Sequence, residues 1–132
     1  MENLPMAGNR TGEEIRAELA ELREQYNEKL KMRGIEPQSI EPPAHLNDKA
    51  VQHWRALVFK VIEAGFDDSA FDALACYCVA WARWEAAEET LRAEGEITKA
   101  PSGYPMQNPA LSISNKALTM MLKYGKVLGL PY

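Results

Sequence analysis

Residues 65–95 read GFDDSAFDALACYCVAWARWEAAEETLRAEG, and the fold turns on them. From Phe66 to Glu94 there is neither proline nor glycine, and alanine is frequent, so this stretch predicts the longest helix of the chain. Asp67 or Asp68 is placed to cap the first free amides, the acidic first turn suits the helix dipole, and Gly95 offers a left-handed stop. Phe71, Leu74, Cys78 and Trp81 fall on one side at helical spacing. Ala73, Ala80, Trp84, Ala87 and Leu91 fall a quarter turn or more away. A helix apolar over so much of its circumference needs neighbours in several directions. It centres a bundle or it meets another subunit.

The bounds around this helix are those of a small globular chain. At 132 residues, 46% hydrophobic and 26% charged, it suits one domain with an additional arm. No run approaches the ~18 apolar residues of a membrane span. The start, MENLPMAGNRTGEE, has neither a basic lead nor an apolar signal core, which predicts a protein that stays in the cell. Cys76 and Cys78 are two apart on a helix and diverge, so they are expected to be buried small hydrophobes rather than a disulfide or metal pair. Charge is distributed unevenly. Residues 1–96 hold all 19 acidic residues beside 11 Lys and Arg, a balance of −8, whereas residues 97–132 hold four lysines and no Asp or Glu, a balance of +4. Such asymmetry hints at a basic contact surface.

Upstream, residues 1–10 lack periodicity and are expected to be disordered. Thr11 to Glu14 has the spacing of a capping box, which predicts a helical arm over residues 11–34 that stops at Gly34. Its apolar residues, Ile15, Leu19, Leu22, Tyr26 and Leu30, form one narrow stripe resembling a coiled-coil seam, so the arm should meet a partner helix from this chain or another subunit. Residues 35–46, with Pro42-Pro43, predict an extended polyproline-like linker. Asn47 then caps a second helix that ends at Ala64-Gly65. Ala50, Val51, Trp54, Leu57, Val58, Val61 and Ile62 make its apolar face; Lys49, His53 and Lys60 align on another. The Gly65 corner joins it to the long helix as a helix–turn–helix-like pair. Pro101-Ser102-Gly103 predicts a turn in a small β-hairpin or ordered loop. Asn108-Pro109 opens a last helix that runs to Leu128. Ile113, Ala117, Met121, Tyr124 and Leu128 are expected to face inward, opposite Lys116, Lys123 and Lys126. The fold class is therefore all-α, a helical bundle whose core domain is residues 47–132.

Groups able to do chemistry are sparse. His45 and His53 lack metal-ligand spacing to each other or to a cysteine. Gly125-Lys126 ends like a phosphate loop, but Met120 stands where the first glycine belongs, and the segment is helix interior. Glu85, Glu88, Glu89 and Glu94 read as a solvated face. These patterns exclude a recognisable catalytic, metal or cofactor site and favour binding. The long helix is a poor DNA reader, because Asp67, Asp68 and Asp72 would face phosphates. Candidate DNA contacts are instead Lys29, Lys31 and Arg33 at the end of the arm, Lys49, Arg55 and Lys60 on the second helix, and Lys99, Lys116, Lys123 and Lys126 beyond it. Candidate oligomer contacts are Leu19, Leu22, Tyr26, Phe59, Trp81, Trp84 and Leu91. A symmetric oligomer would repeat a weak basic patch and gain avidity.

An ordered series of blocks carries a resemblance. It comprises Pro42-Pro43-Ala44-His45-Leu46, Trp54, Ala64-Gly65-Phe66, and the run Tyr77-Cys78-Val79-Ala80-Trp81-Ala82-Arg83-Trp84-Glu85-Ala86-Ala87-Glu88. Gly103-Tyr104 and the run from Gln107 to Ala117 (QNPALSISNKA) complete it. Over residues 40–130 or so the chain resembles the small subunits of phage terminases, a short helical family of tailed phages and prophages. The resemblance implies a non-enzymatic protein of the host-cell cytoplasm. It implies an oligomeric ring that binds double-stranded viral DNA at the packaging site and recruits a large subunit, which carries the ATPase and nuclease. The helix at 13–33 lies outside the resemblance. Two other readings remain open on the residues alone: a small helical transcriptional regulator, and a coiled-coil adaptor that binds no DNA.

Overall fold

The computed structural model describes residues 10–130, so the disorder expected at the N-terminus concerns, for residues 1–9, a segment outside the described residues. The chain divides into two compact units, Met1–Gln38 and Ser39–Tyr132. The first is one helix and its stop. Helix α1 spans Gly12–Met32, with the Thr11 hydroxyl accepting from the Glu14 N–H at 3.1 Å. At its end the Gly34 N–H bonds the Lys31 carbonyl and the Ile35 N–H reaches back to the Leu30 carbonyl at 2.9 Å, a Schellman stop. Leu30 and Ile35 are buried, whereas Ile15, Leu19 and Leu22 are exposed.

The second unit is built on three helices. Residues Pro37–Ile40, the last two of the first unit and the first two of the second, form a 3₁₀ turn within the stretch expected to be an extended polyproline-like linker. The turn ends under helix α2 (Asp48–Glu63), because the Trp54 indole N–H donates to the Ile40 carbonyl at 2.8 Å. Asn47 caps α2 through the Ala50 N–H at 2.9 Å. Ala50, Trp54, Val58, Val61 and Ile62 are buried, and Trp54 meets Phe71 edge-on at 5.7 Å between centroids. Gly65 and Phe66 repeat the Schellman pattern, with their amides on Ile62 and Val61.

Helix α3 spans Phe71–Glu94, starting a few residues later than a cap at Asp67 or Asp68 implies. Asp67 is a cap, as expected, but of a preceding 3₁₀ turn over Asp68–Ala70. Its carboxylate accepts from both the amide and the hydroxyl of Ser69. Side chains buried along α3 include Phe71, Leu74, Ala75, Tyr77, Cys78, Ala80, Ala82 and Ala87, which fall on several sides of the helix and leave one strip, Asp72, Cys76, Arg83 and Ala86, exposed. Two neighbours cover it, α2 on one side and α4 on another.

Between α3 and α4 lies a two-stranded antiparallel hairpin, β1 (Ile97–Lys99) and β2 (Pro105–Gln107), with Thr98 opposite Met106. Gly95 ends α3 with φ 82° and ψ 166°. That is not the left-handed stop predicted: the extended ψ sends the chain straight into β1. Helix α4 spans Pro109–Leu128 and ends on Gly129 in the left-handed region (φ 67°, ψ 24°), with the Leu130 N–H returning to Gly125 at 2.8 Å. Ala110, Ser114, Ala117, Met121, Gly125 and Leu128 are its buried residues. Ile113, expected inside, is 49% exposed, and Ser114 is inside instead at 1%. Small side chains let α4 lie close against the alanines of α3. The two helices are antiparallel: the Ser114 hydroxyl donates to Glu88 at 2.5 Å toward one end, and Tyr124 lies beside Cys76 toward the other.

Asn108 closes the junction. Its side-chain oxygen accepts from the Ala110 N–H (3.0 Å), its Nδ2 donates to the Gly95 carbonyl (3.0 Å), and its backbone N–H donates to the Glu96 carbonyl (2.7 Å). One residue thus caps α4 and ties both ends of the hairpin, while only 4% exposed. Replacing Asn108 with Ala removes a cap and a buried donor together, and should lower unfolding free energy by about 2 kcal/mol in urea titrations. A loss below ~0.5 kcal/mol would contradict this role.

Candidate functional surfaces

The helix spacing sorts the exposed face of α4 into strips. Ser112, Lys116, Thr119, Lys123 and Lys126 recur every three or four residues and form one exposed polar ridge opposite the buried side. Residues 97–130 contain no carboxylate side chain, so nothing in this segment neutralises the ridge from within. The Lys123 ammonium stands 5.7 Å from the Tyr124 ring centroid and keeps its exposed position. Lys126 lies in the last turn, where a cation also suits the helix dipole. Lys99 is exposed on β1, opposite Pro105.

The cations proposed on the second helix are separated by the structure. Lys49 turns toward α3 and pairs with Glu85 at 3.3 Å. Arg55 lines a small cleft of about 230 Å³ with Pro42, Val58 and Phe59. Lys60 is exposed. In the other unit Lys29, Lys31 and Arg33 cluster at the end of α1, where Lys31 lies 3.9 Å from Glu28. Of the groups named from sequence, only Lys116, Lys123 and Lys126 share a ridge with no acidic side chain on its own helix.

The glutamates read as a solvated face do more than that. Besides pairing with Lys49, Glu85 lies near His53, and Glu88 accepts the bond from buried Ser114. The His53 ring stacks on Trp81 at 4.1 Å and 8° between planes, and lies 5.6 Å from Tyr77 at 17°. Trp81, offered as a subunit contact, therefore spends one ring face inside the chain. Trp84 and Leu91 are half-buried, and Phe59 is exposed. His53 Nε2 is buried with no hydrogen-bond partner among the described residues. Burial lowers the His53 pKa below 6.5, opposed by the Glu85 carboxylate.

A second surface was not read from the sequence. Three adjoining hollows of about 470, 530 and 410 Å³ run along the seam between α3 and α4. Alanines 80, 87, 110 and 117 floor them, Ile113 and Met120 wall them, and Arg83 lines all three. The alanine spacing on α3 was the available signal, but it reads equally as helix propensity. The lining is mainly apolar, with Asp72 and His45 at the first hollow and the ridge lysine Lys116 bordering the second. Among the described residues no three His, Cys, Asp or Glu stand close enough to hold a metal ion.

Cys76 departs from expectation: it is exposed, while Cys78 is fully buried and its thiol is pushed up to about 12. Iodoacetamide at pH 8 should therefore label Cys76 and spare Cys78 in the folded chain; peptide mapping reads this directly. The neutral stack of His53 carries a pH dependence of defined sign. Its folded pKa lies below the unfolded one, so its stabilisation is present above about pH 6.5 and is lost as pH falls through the folded value. Tm should fall between pH 7.5 and 5.5, and His53→Phe should flatten that fall; an unchanged slope would remove His53 as its source.

No curated protein and no solved structure matches the chain. Residues 50–131, which take in α2, α3, the hairpin and α4, match the family model described as phage terminase, small subunit. On that match, over more than half its length, the chain belongs to the phage terminase small-subunit family.

Proposed function

We propose that the protein is the DNA-recognising component of a phage packaging motor. Copies assemble into a ring in the cytoplasm of the infected cell, hold the viral DNA duplex at the packaging site, and recruit the large ATPase–nuclease subunit. The chain itself catalyses nothing. The family gives the general role in phage packaging, and terminase small subunits are generally non-catalytic. The observation that carries the DNA assignment is the ridge of Lys116, Lys123 and Lys126 on a helix without a single carboxylate. One such ridge offers few phosphate contacts, and a ring would repeat it around a common duplex. The groove around Arg83 is assigned to protein partners.

Retention of double-stranded DNA by the assembled protein should fall steeply with salt, because each phosphate contact releases a counterion. Changing Lys116, Lys123 and Lys126 together to alanine should reduce the slope of log K against log salt by roughly one per lysine in contact. An unchanged slope would assign the DNA to another surface. Light scattering on the wild-type chain reads the ring, and a clean monomer at tens of micromolar would exclude it. Trp84→Glu separates two roles for that half-buried ring, since an intact assembly would place Trp84 outside the subunit contact.

A further inference from the structure

Helix α1 lies outside the family match, and most of its apolar side is uncovered. Ile15, Leu19 and Leu22 are 39%, 56% and 54% exposed, and Tyr26 is half-buried. Their spacing of four, three and four residues is that of a coiled-coil seam, with Ile15 and Leu22 at d and Leu19 and Tyr26 at a. The positions bordering the seam are then fixed. Arg16 and Arg23 fall at e, and Glu18 and Gln25 fall at g. The outer positions 14, 21 and 28 are all glutamate, which keeps the far side in water.

We infer that α1 pairs with α1 of a second copy, parallel and in register. Charge decides the orientation. In a parallel pair each g residue meets the e residue of the following heptad on its neighbour, so Glu18 faces Arg23 of the other copy, and the contact is made twice by symmetry. In an antiparallel pair e meets e, which brings Arg16 against Arg23, like charge on like. Glu18 and Arg23 are five residues apart, so within one helix they do not face each other and can pair only across copies. Arg10 already pairs with Glu18 inside the chain. A carboxylate has acceptor sites for a second guanidinium, so that contact does not compete. A seam of two heptads is short for an independent coiled coil. It therefore gains strength when other contacts hold the copies together, and this inference rests on the oligomer proposed above.

The test uses the full chain with Cys76→Ser to remove the exposed native thiol. Ile15→Cys in that background should give a disulfide-linked dimer on mild oxidation. An antiparallel pair would put residue 15 opposite residue 26, about 16 Å away along the axis, beyond reach of a disulfide. Glu18→Arg and Arg23→Glu should each weaken self-association about tenfold by sedimentation, and the double exchange should restore it. Absence of the cross-link, or single exchanges without effect on a wild type that still assembles, would overturn the arm pairing and leave the ring standing. A wild type that stays monomeric would overturn both.

Discussion

A helix of 24 residues with buried side chains on several sides, and one exposed strip through Asp72, Cys76, Arg83 and Ala86, must be covered from more than one direction, and α3 imposes that condition on the rest of the fold. Helix α2 answers on one side with large residues, Trp54, Val58 and Val61. Helix α4 answers on another with mostly small ones, Ala110, Ser114, Ala117 and Gly125, beside Met121 and Leu128. The difference in size matters. Large residues fill the space between α2 and α3 with dispersion contacts, whereas small residues bring the α4 backbone close and leave its larger side chains at the edges of the seam. That is why Ile113, Met120 and Val127 reach the surface, and why a groove follows the contact.

The same division separates the surfaces by chemistry. Acidic side chains of the second unit stay on the earlier elements, where several have partners: Glu85 with Lys49, Glu88 with Ser114, Asp67 with Ser69. The later helix has no carboxylates, so its lysines project a field that its own helix does not cancel. A chain with net charge −4 can thus present a locally positive ridge. The overall balance suits solubility, and the local one suits a polyanion.

Local signals were legible in the sequence because they act between residues a few positions apart. The caps Thr11, Asn47 and Asn108, and the glycine stops after α1, α2 and α4, stand where the residue types put them. So does the hairpin after Gly95. What the sequence did not convey depends on pairing between distant elements. Hydropathy favours Ile113 over Ser114 for the interior, but the phase set by Ala110, Ala117, Met121 and Leu128 turns Ser114 inward, and Glu88 supplies the acceptor its hydroxyl then needs. Lys49 reads as a free cation until α3 brings Glu85 to it. Cys76 reads like Cys78, although one is exposed and the other closed off, because two residues along a helix is more than half a turn. The start of α3 was misplaced for a different reason: Asp67 is a good cap for either helix type, and the choice between α and 3₁₀ is made by geometry, not by the capping residue.

The junction at Asn108 has a chemical consequence as well as a mechanical one. Asparagines age to aspartates chiefly when the following backbone nitrogen attacks the side-chain amide and closes a five-membered ring. Pro109 has no N–H to offer, so the residue that sets the first turn of α4 also shuts that route. Here the protection matters, because the product would replace the Nδ2 donor facing the Gly95 carbonyl with a second acceptor. The bond between hairpin and helix is therefore guarded against deamidation by its own neighbour in the chain.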